Sequence, residues 1–350
     1  MTYDPTADKR LDPRVRGLLA AMEKPLLFHA ENAKSREDAL AIANSPEALA
    51  VEAAMLESME FMDDESVFPS QGLRISHETI TSCIDGHGVP LKIIRPDTDE
   101  QLPCVLYIHG GAMATMSFEL ATYRAWGKAL AHQQVCVVMV DFRNSLRPSS
   151  SGEVAPYPAG LNDCVAAYRW ATDNVERYNG RADAIVVAGD SGGGNLAIAT
   201  VMKLRREFDI TPLGLYALCP YILGQWPDPK APSSVENEGV LISVADNHAT
   251  MAYGIEAFDA KDPMAWPGFA TVGDVQGFPP TMISVNECDP LRDEGIMFYR
   301  LLLEAGVKAH CRQLMGTVHA NEMFTAIVPD LTRMTARDIR SWISECELLR

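Results

Sequence analysis

The sequence predicts an α/β fold: a mostly parallel central sheet flanked by helices, with a helical cap. Three observations predict it. Strand-like apolar runs alternate with helical patterns from about residue 73 onward. Several of those runs are unbroken stretches of Val, Ile, Leu, Ala and Cys, as strands covered on both faces require. Before them the chain reads as helix alone.

In chain order, helical periodicity runs through DPRVRGLLAAMEKPL (12–26), with Asp12 and Pro13 as N-cap and first-turn pair. One or two further helices are expected over 35–64, where Ser35 precedes Asp38 as a weak capping-box variant. Strands are expected at 89–95, 103–108, 134–141, 184–188, 213–219, 281–286 and 307–314. Helices are expected near 120–132, 160–178, 193–207, 293–305 and 320–349. A helix between successive strands carries the chain back so that the strands run parallel. Two stretches interrupt this alternation. Residues 143–159 are rich in Pro and Ser and read as a surface loop, and residues 221–278 form a long Pro-rich insertion with helical character near 243–257. The expected division is a helical cap segment over 1–75 and an α/β domain over 76–350, with the 221–278 insertion contributing to the cap.

The composition excludes several classes. With 47% hydrophobic and 22% charged residues, the chain is an ordinary folded protein rather than a disordered or fibrous one. Lys and Arg number 30 against 47 Asp and Glu, a net charge of −17. Such a chain repels phosphate backbones and anionic lipid, so no nucleic-acid partner is expected. No run of apolar residues is long enough for a membrane span, and the start, MTYDPTADKRLDPRV, has no apolar stretch of signal-peptide length. A cytoplasmic location is the corresponding expectation. The eight cysteines are scattered without a C-x-x-C pair, and no H-E-x-x-H or Asp/His cluster occurs, so buried reduced thiols and neither metal nor cofactor are expected.

The sharpest local motif is Gly189-Asp190-Ser191-Gly192-Gly193, which fits G-x-S-x-G. The pattern alone is weak. Its context is stronger: the strand AIVVA runs into it and the helical GNLAIATVMKLRREF runs out. A strand-to-helix reversal this tight strains the serine backbone and demands small neighbours, leaving the hydroxyl above the sheet edge at a helix N-terminus. A plain glycine turn is the competing reading; a phosphate loop lacks its G-x-x-x-x-G-K-[ST] spacing. The second motif is His109-Gly110-Gly111-Ala112, ending the strand PCVLYI. Backbone N–H groups aimed at a developing oxyanion lower an acyl-transfer barrier by several kcal/mol. Gly110 and Gly111 are assigned as donors together with Gly192, and His109 as a loop-shaping hydrogen-bonder.

HGGA (109–112), DFRNS (141–145), YPAG-x-x-D (157–163), GDSGGGN (189–195), DPLRDEG (289–295) and Gly316-Thr317-Val318-His319 follow one another in order. Together they resemble the hormone-sensitive-lipase-like bacterial esterases of the α/β-hydrolase fold, most of all the brefeldin A esterase-like branch, over roughly 75–345. The resemblance implies a carboxylesterase with a Ser–Asp–His triad, no cofactor, and dimers. It also implies a bracing role for Asp163. Ala112 stands where the family has a third glycine, and Ala320 where a glycine follows the histidine. Neither change removes an N–H donor, but both bear on acyl-pocket shape.

A serine hydroxyl needs a base to take its proton, and the base needs a carboxylate to fix its tautomer. In this fold the order is Ser, then Asp or Glu, then His. After Ser191 the histidines are His248, His310 and His319. His248 falls in the insertion and His310 inside an expected strand, pointing into sheet packing. His319 follows that strand in a loop opened by Gly316 and is the expected base. The strand TMISVN leads into Glu287-Cys288-Asp289-Pro290; Asp289 lies on the loop after it and matches the position where the resemblance implies the carboxylate. Its rival Asp293 starts a helix, where an acidic residue suits the dipole regardless of function. Asp190 is expected to brace the elbow. The expected function is a serine carboxylesterase acting on short-to-medium acyl esters, its partner a small-molecule ester. A catalytically inactive receptor on the same fold, or an amidase or lyase using the same site, are the alternatives. Met55, Met59 and Met62 read as a core stripe of a cap helix or as a pocket wall, and Trp226 and Trp266 as candidates to line that pocket.

Overall fold

The computed structural model describes residues 4–21 and 31–350. The chain opens with helices α1 (Pro13–Ala21), α2 (Arg36–Ala43) and α3 (Pro46–Ser58). The end of the expected first helix, 22–26, lies outside the described residues. Ser35 caps α2 as expected, its Oγ accepting the Asp38 N–H at 3.2 Å. The sheet strands are β1 (Leu73–Thr81), β2 (Gly88–Pro96), β3 (Leu102–Ile108), β4 (Cys136–Val140), β5 (Gly180–Asp190), β6 (Gly214–Leu218), β7 (Thr281–Cys288) and β8 (Ala309–Val318). Between and after them run α4 (Ala121–Ala131), α5 (Ala159–Asn174), α6 (Gly192–Phe208), α7 (Ser233–Glu236), α8 (His248–Asp259), α9 (Val272–Val275), α10 (Arg292–Glu304) and α11 (Pro329–Leu348).

The strand order is β1-β2-β4-β3-β5-β6-β7-β8. From β4 to β8 every pairing is parallel; β1 and β2 add an antiparallel edge. Alternation across the pleat divides the core in two. Along β3, Cys104, Leu106 and Ile108 face the layer containing buried residues of α5, α6 and α10. Val105 and Tyr107 face the layer containing Trp126 of α4 and Trp342 of α11. The expected fold is therefore the observed one. The sequence reading missed β1. Its LRISHETIT pattern buries only Ile80, so it carries no apolar run; it is held by antiparallel pairing to β2 instead.

Residues 143–159 depart from the expected surface loop. Arg143, Asn144, Ser145 and Leu146 are buried. Ser145 N–H donates to Met113 O at 2.9 Å, Leu146 N–H to Ala114 O at 3.0 Å, and Asn144 Nδ2 to Met116 O at 2.8 Å. This segment is a clamp on the loop after HGGA, satisfied by hydrogen bonds that a composition-based reading cannot see. Arg143 also holds Asp163 through Nε at 2.9 Å and a second nitrogen at 2.7 Å, a buried bidentate pair.

The N-terminal helices and the insertion are tied together. Ala33 N–H donates to Asn247 Oδ1 at 2.8 Å, Asn247 Nδ2 to Ala33 O at 3.0 Å, and Arg36 Nε to Ala252 O at 3.2 Å. Helix α3 buries none of its residues. Met55 and Met59 are half-buried, and Met62 is buried in the following short turn, so the methionines are not a core stripe of one helix. Trp226 and Trp266 are buried against Tyr221, with ring centroids at 4.5 and 6.1 Å. The Trp226 indole N–H donates to Glu294 Oε2 at 2.6 Å. Trp226 thus ties residues 221–278 to α10, whereas Trp266 packs within that stretch, against Tyr253 and Phe258. Among the described residues no single helix is long and apolar enough to cross a membrane.

Candidate active site

Strand β5 ends at Asp190 and α6 begins at Gly192, so Ser191 is the whole turn between them. Its backbone sits at φ 56°, ψ −120°, a strained conformation for a residue with a side chain. Hydrogen bonds hold it there: Ser191 N–H donates to Leu218 O at 2.9 Å, and Tyr221 N–H donates to Ser191 O at 3.0 Å. The crossing of β3 and α6 leaves no room at Gly193, where a Cβ would lie 2.1 Å from Ile108 O.

Three expected residues converge. Ser191 Oγ lies 2.9 Å from His319 Nε2, and His319 Nδ1 lies 2.9 Å from Asp289 Oδ2. Asp289 follows the end of β7, and His319 follows the end of β8. Parallel neighbours end on the same side of a sheet, which is why residues 128 apart meet. Burial disfavours a proton on His319, but the surrounding carboxylates, Asp289 first and then Asp190 and Glu322, together more than offset it, so the imidazole titrates above its ordinary 6.5. The other histidines are elsewhere: His248 contacts Glu31 O at 2.8 Å, and His310 is exposed on β8 with its ring against Trp342. His310 therefore does not point into sheet packing as expected, because β8 is the sheet's last strand. Asp293 is engaged by Arg292 and the Ser233 N–H.

The HGGA loop departs from expectation at one residue. Gly110 N–H donates to Tyr123 Oη at 2.7 Å. It is occupied, and the assignment of Gly110 as an oxyanion donor is corrected. The chain then turns through three left-handed residues, Gly111 (φ 97°), Ala112 (φ 53°) and Met113 (φ 58°). This turn brings the following amides to the elbow: a Cβ on Gly192 would lie 2.6 Å from Ala112 N and 2.5 Å from Met113 N. The Ala112 and Met113 amides therefore pack against Gly192, the residue that follows Ser191.

Asp190 braces the elbow as expected, but sequence reasoning missed its tyrosine partners. Tyr123 Oη, having accepted the Gly110 N–H, donates to Asp190 Oδ2 at 2.9 Å, and Tyr107 Oη donates to Asp190 Oδ1 at 2.7 Å. Asp190 thus joins the elbow to the HGGA loop. Burial raises its pKa, against the two phenols that stabilise its charge. The tyrosines come from β3 and α4, and no local pattern marks them. His109 shapes the loop as expected: buried and stacked on Phe142 at 4.4 Å, its Nδ1–H donates to Gly110 O at 2.9 Å, with Nε2 3.0 Å from Asp141 Oδ1.

Comparison with known proteins agrees with this fold. Residues 105–323 match the family model described as an alpha/beta hydrolase fold. Carboxylesterase NlhH of Mycobacterium tuberculosis is 33% identical over 272 residues, covering 76% of this chain and 81% of that protein. The structure of esterase Est22 superposes with a TM-score of 0.94 at 49% identity, covering 98% of this chain and 99% of that one. Brefeldin A esterase, a bacterial homologue of human hormone-sensitive lipase, superposes at 0.82 with 33% identity, covering 99% and 97%. The chain belongs to the α/β-hydrolase fold family. Within it, its class is that of the carboxylic ester hydrolases.

Proposed function

We propose that the chain is a serine carboxylesterase that hydrolyses short-to-medium acyl esters through an acyl-enzyme. The observation that carries this reading is the unbroken Asp289–His319–Ser191 line, 2.9 Å at each step. Ser191 Oγ attacks the ester carbonyl while His319 Nε2 takes its proton; Asp289 holds the Nδ1–H tautomer and stabilises the imidazolium. The Gly111, Ala112 and Gly192 N–H groups receive the oxyanion. His319 then protonates the departing alcohol, and a water deprotonated by the same imidazole releases the acid. Helices α1–α3 with residues 221–278 form the cap over this site, a reading supported by the hydrogen bonds that join residues 31–36 to 247–252.

Hydrolysis of p-nitrophenyl acetate and butyrate tests it. Ser191→Ala is expected to lower kcat by roughly 10⁴-fold or more. Wild-type rates in that variant overturn the mechanism. Binding without turnover in the wild type favours the receptor reading, and faster cleavage of a matched anilide favours an amidase. Activity is expected to survive EDTA.

A further inference from the structure

We propose that Cys219, Asp289 and His319 form an inhibitory binding site for a thiophilic divalent cation of the zinc and cadmium kind. One ligand atom from each, a sulfur, a nitrogen and a carboxylate oxygen, lies within 4.8 Å of the other two. A tetrahedral zinc ion with Zn–N and Zn–O bonds of about 2.0–2.1 Å and Zn–S of about 2.3 Å spaces its ligand atoms roughly 3.3–3.6 Å apart. From the 4.8 Å bound the sulfur needs to close by little more than about an ångström, and His319 Nδ1 and Asp289 Oδ2, now at 2.9 Å, need part by only a few tenths of an ångström.

The ligands stand on rigid supports. Cys219 directly follows β6, its N–H donating to Ser284 O of β7 at 2.7 Å, in a left-handed conformation with φ 34°. Asp289 and His319 follow the ends of β7 and β8. Three adjacent parallel strands thus deliver sulfur, oxygen and nitrogen to one point. The charges also balance. A thiolate and a carboxylate neutralise a dication, and the imidazole binds uncharged, so no net charge is left buried. Mixed S, N and O donors suit zinc or cadmium and reject magnesium or calcium.

Occupancy and catalysis exclude each other. The Cys219 thiol proton is released to solvent. The His319 proton shifts from Nδ1, which now binds the ion, to Nε2. Nε2–H then faces Ser191 Oγ as a donor and cannot accept the serine proton. Asp289 is withdrawn from the imidazole at the same time. The inhibition readout rests on the triad reading above; the binding readout does not.

The experiment titrates Cd²⁺ into the full chain, with Mg²⁺ as control, in wild type, Cys219→Ser and Cys219→Ala. All are placed in a Cys83→Ser background, since Cys83 is the exposed thiol. Inhibition is scored against each variant's own metal-free rate. Wild type is expected to be inhibited by Cd²⁺ at concentrations where Mg²⁺ is inert, and rescued by EDTA. Both Cys219 variants should need at least about tenfold more Cd²⁺ for half-inhibition. The thiolate-to-cadmium ultraviolet band is read in parallel in Ser191→Ala, where it should persist, and in Ser191→Ala with Cys219→Ser, where it should disappear. Equal sensitivity in wild type and both Cys219 variants, or an unchanged band without Cys219, overturns the site. A normal band combined with an active Ser191→Ala enzyme would instead sink the triad.

Discussion

Two side chains beneath the elbow test the site residue by residue. Tyr123 Oη is the single atom joining the Gly110 N–H to Asp190. Tyr123→Phe leaves a buried N–H without its acceptor and a carboxylate oxygen without its donor, a cost of about 1–3 kcal/mol in denaturant unfolding. Because the HGGA loop then loses one of its anchors, kcat should fall while KM changes little. His319 sets the pH dependence. Only the neutral imidazole accepts the serine proton, so activity is present above its pKa and lost as pH falls through it. With that pKa raised above 6.5 by Asp289 and the carboxylates around it, the acid limb of kcat/KM should lie above pH 6.5. Asp289→Asn should lower kcat by roughly 10⁴-fold. The linked stability runs the other way: what the His319⁺–Asp289 pair contributes is present below the unfolded pKa and lost as pH rises through the folded one. Ala320 sits at φ 47°, where the family resemblance places glycine. Ala320→Gly should be tolerated, its relief of left-handed strain of about 1 kcal/mol offset by glycine's unfolded-state entropy.

Among the elements, glycines separate packing from propensity. In α6, Gly192→Ala forces a Cβ to within 2.6 Å of two loop amide nitrogens. Moving that loop should cost at least about 10²-fold in kcat/KM. In α1, Gly17→Ala meets nothing within 4 Å and should stabilise by up to ~1 kcal/mol, read as a shifted unfolding midpoint. Helix α10 is joined to the segment after β6 through Glu294, which accepts the Ile222 N–H and the Trp226 indole N–H, both at 2.6 Å. Burial pushes its carboxyl up to about 8. Its folded pKa is the higher one, so its contribution is present below the unfolded value and lost as pH rises toward 8. Unfolding free energy measured between pH 5 and 8 should carry this falling component, and Glu294→Gln should remove it.

For the whole molecule, the charge of −17 sets a long-range field. An anionic ester should be turned over more slowly than its neutral isostere at ~0.01 M salt, with the gap narrowing at ~0.15 M as the Debye length shortens. A gap unchanged by salt would place the discrimination in the pocket instead. The fold itself was legible because it rests on local patterns. Apolar runs, several of them continuous, marked β2 to β8, and the strand–turn–helix around Ser191 marked the elbow. Of the three histidines after Ser191, only His319 fell on a loop after a strand, and Asp289 was marked by its place after a strand together with the family resemblance. β1 escaped because an exposed edge strand has no apolar run. Buried residues 143–146 escaped because Pro and Ser composition says nothing of hydrogen bonds to a loop some thirty residues earlier.

What the sequence by itself determined is the three side chains that converge, Ser191, Asp289 and His319, and the strand ends that carry them, since periodicity and turn chemistry act over a few residues. Tertiary structure alone decided where the loop amides go, placing the Gly110 N–H on Tyr123 and the Ala112 and Met113 nitrogens against Gly192. It alone set Cys219 beside the imidazole and carboxylate. Hydrogen bonds and coordination act within about 3 Å, and residues separated by dozens of positions come that close only once the sheet has assembled.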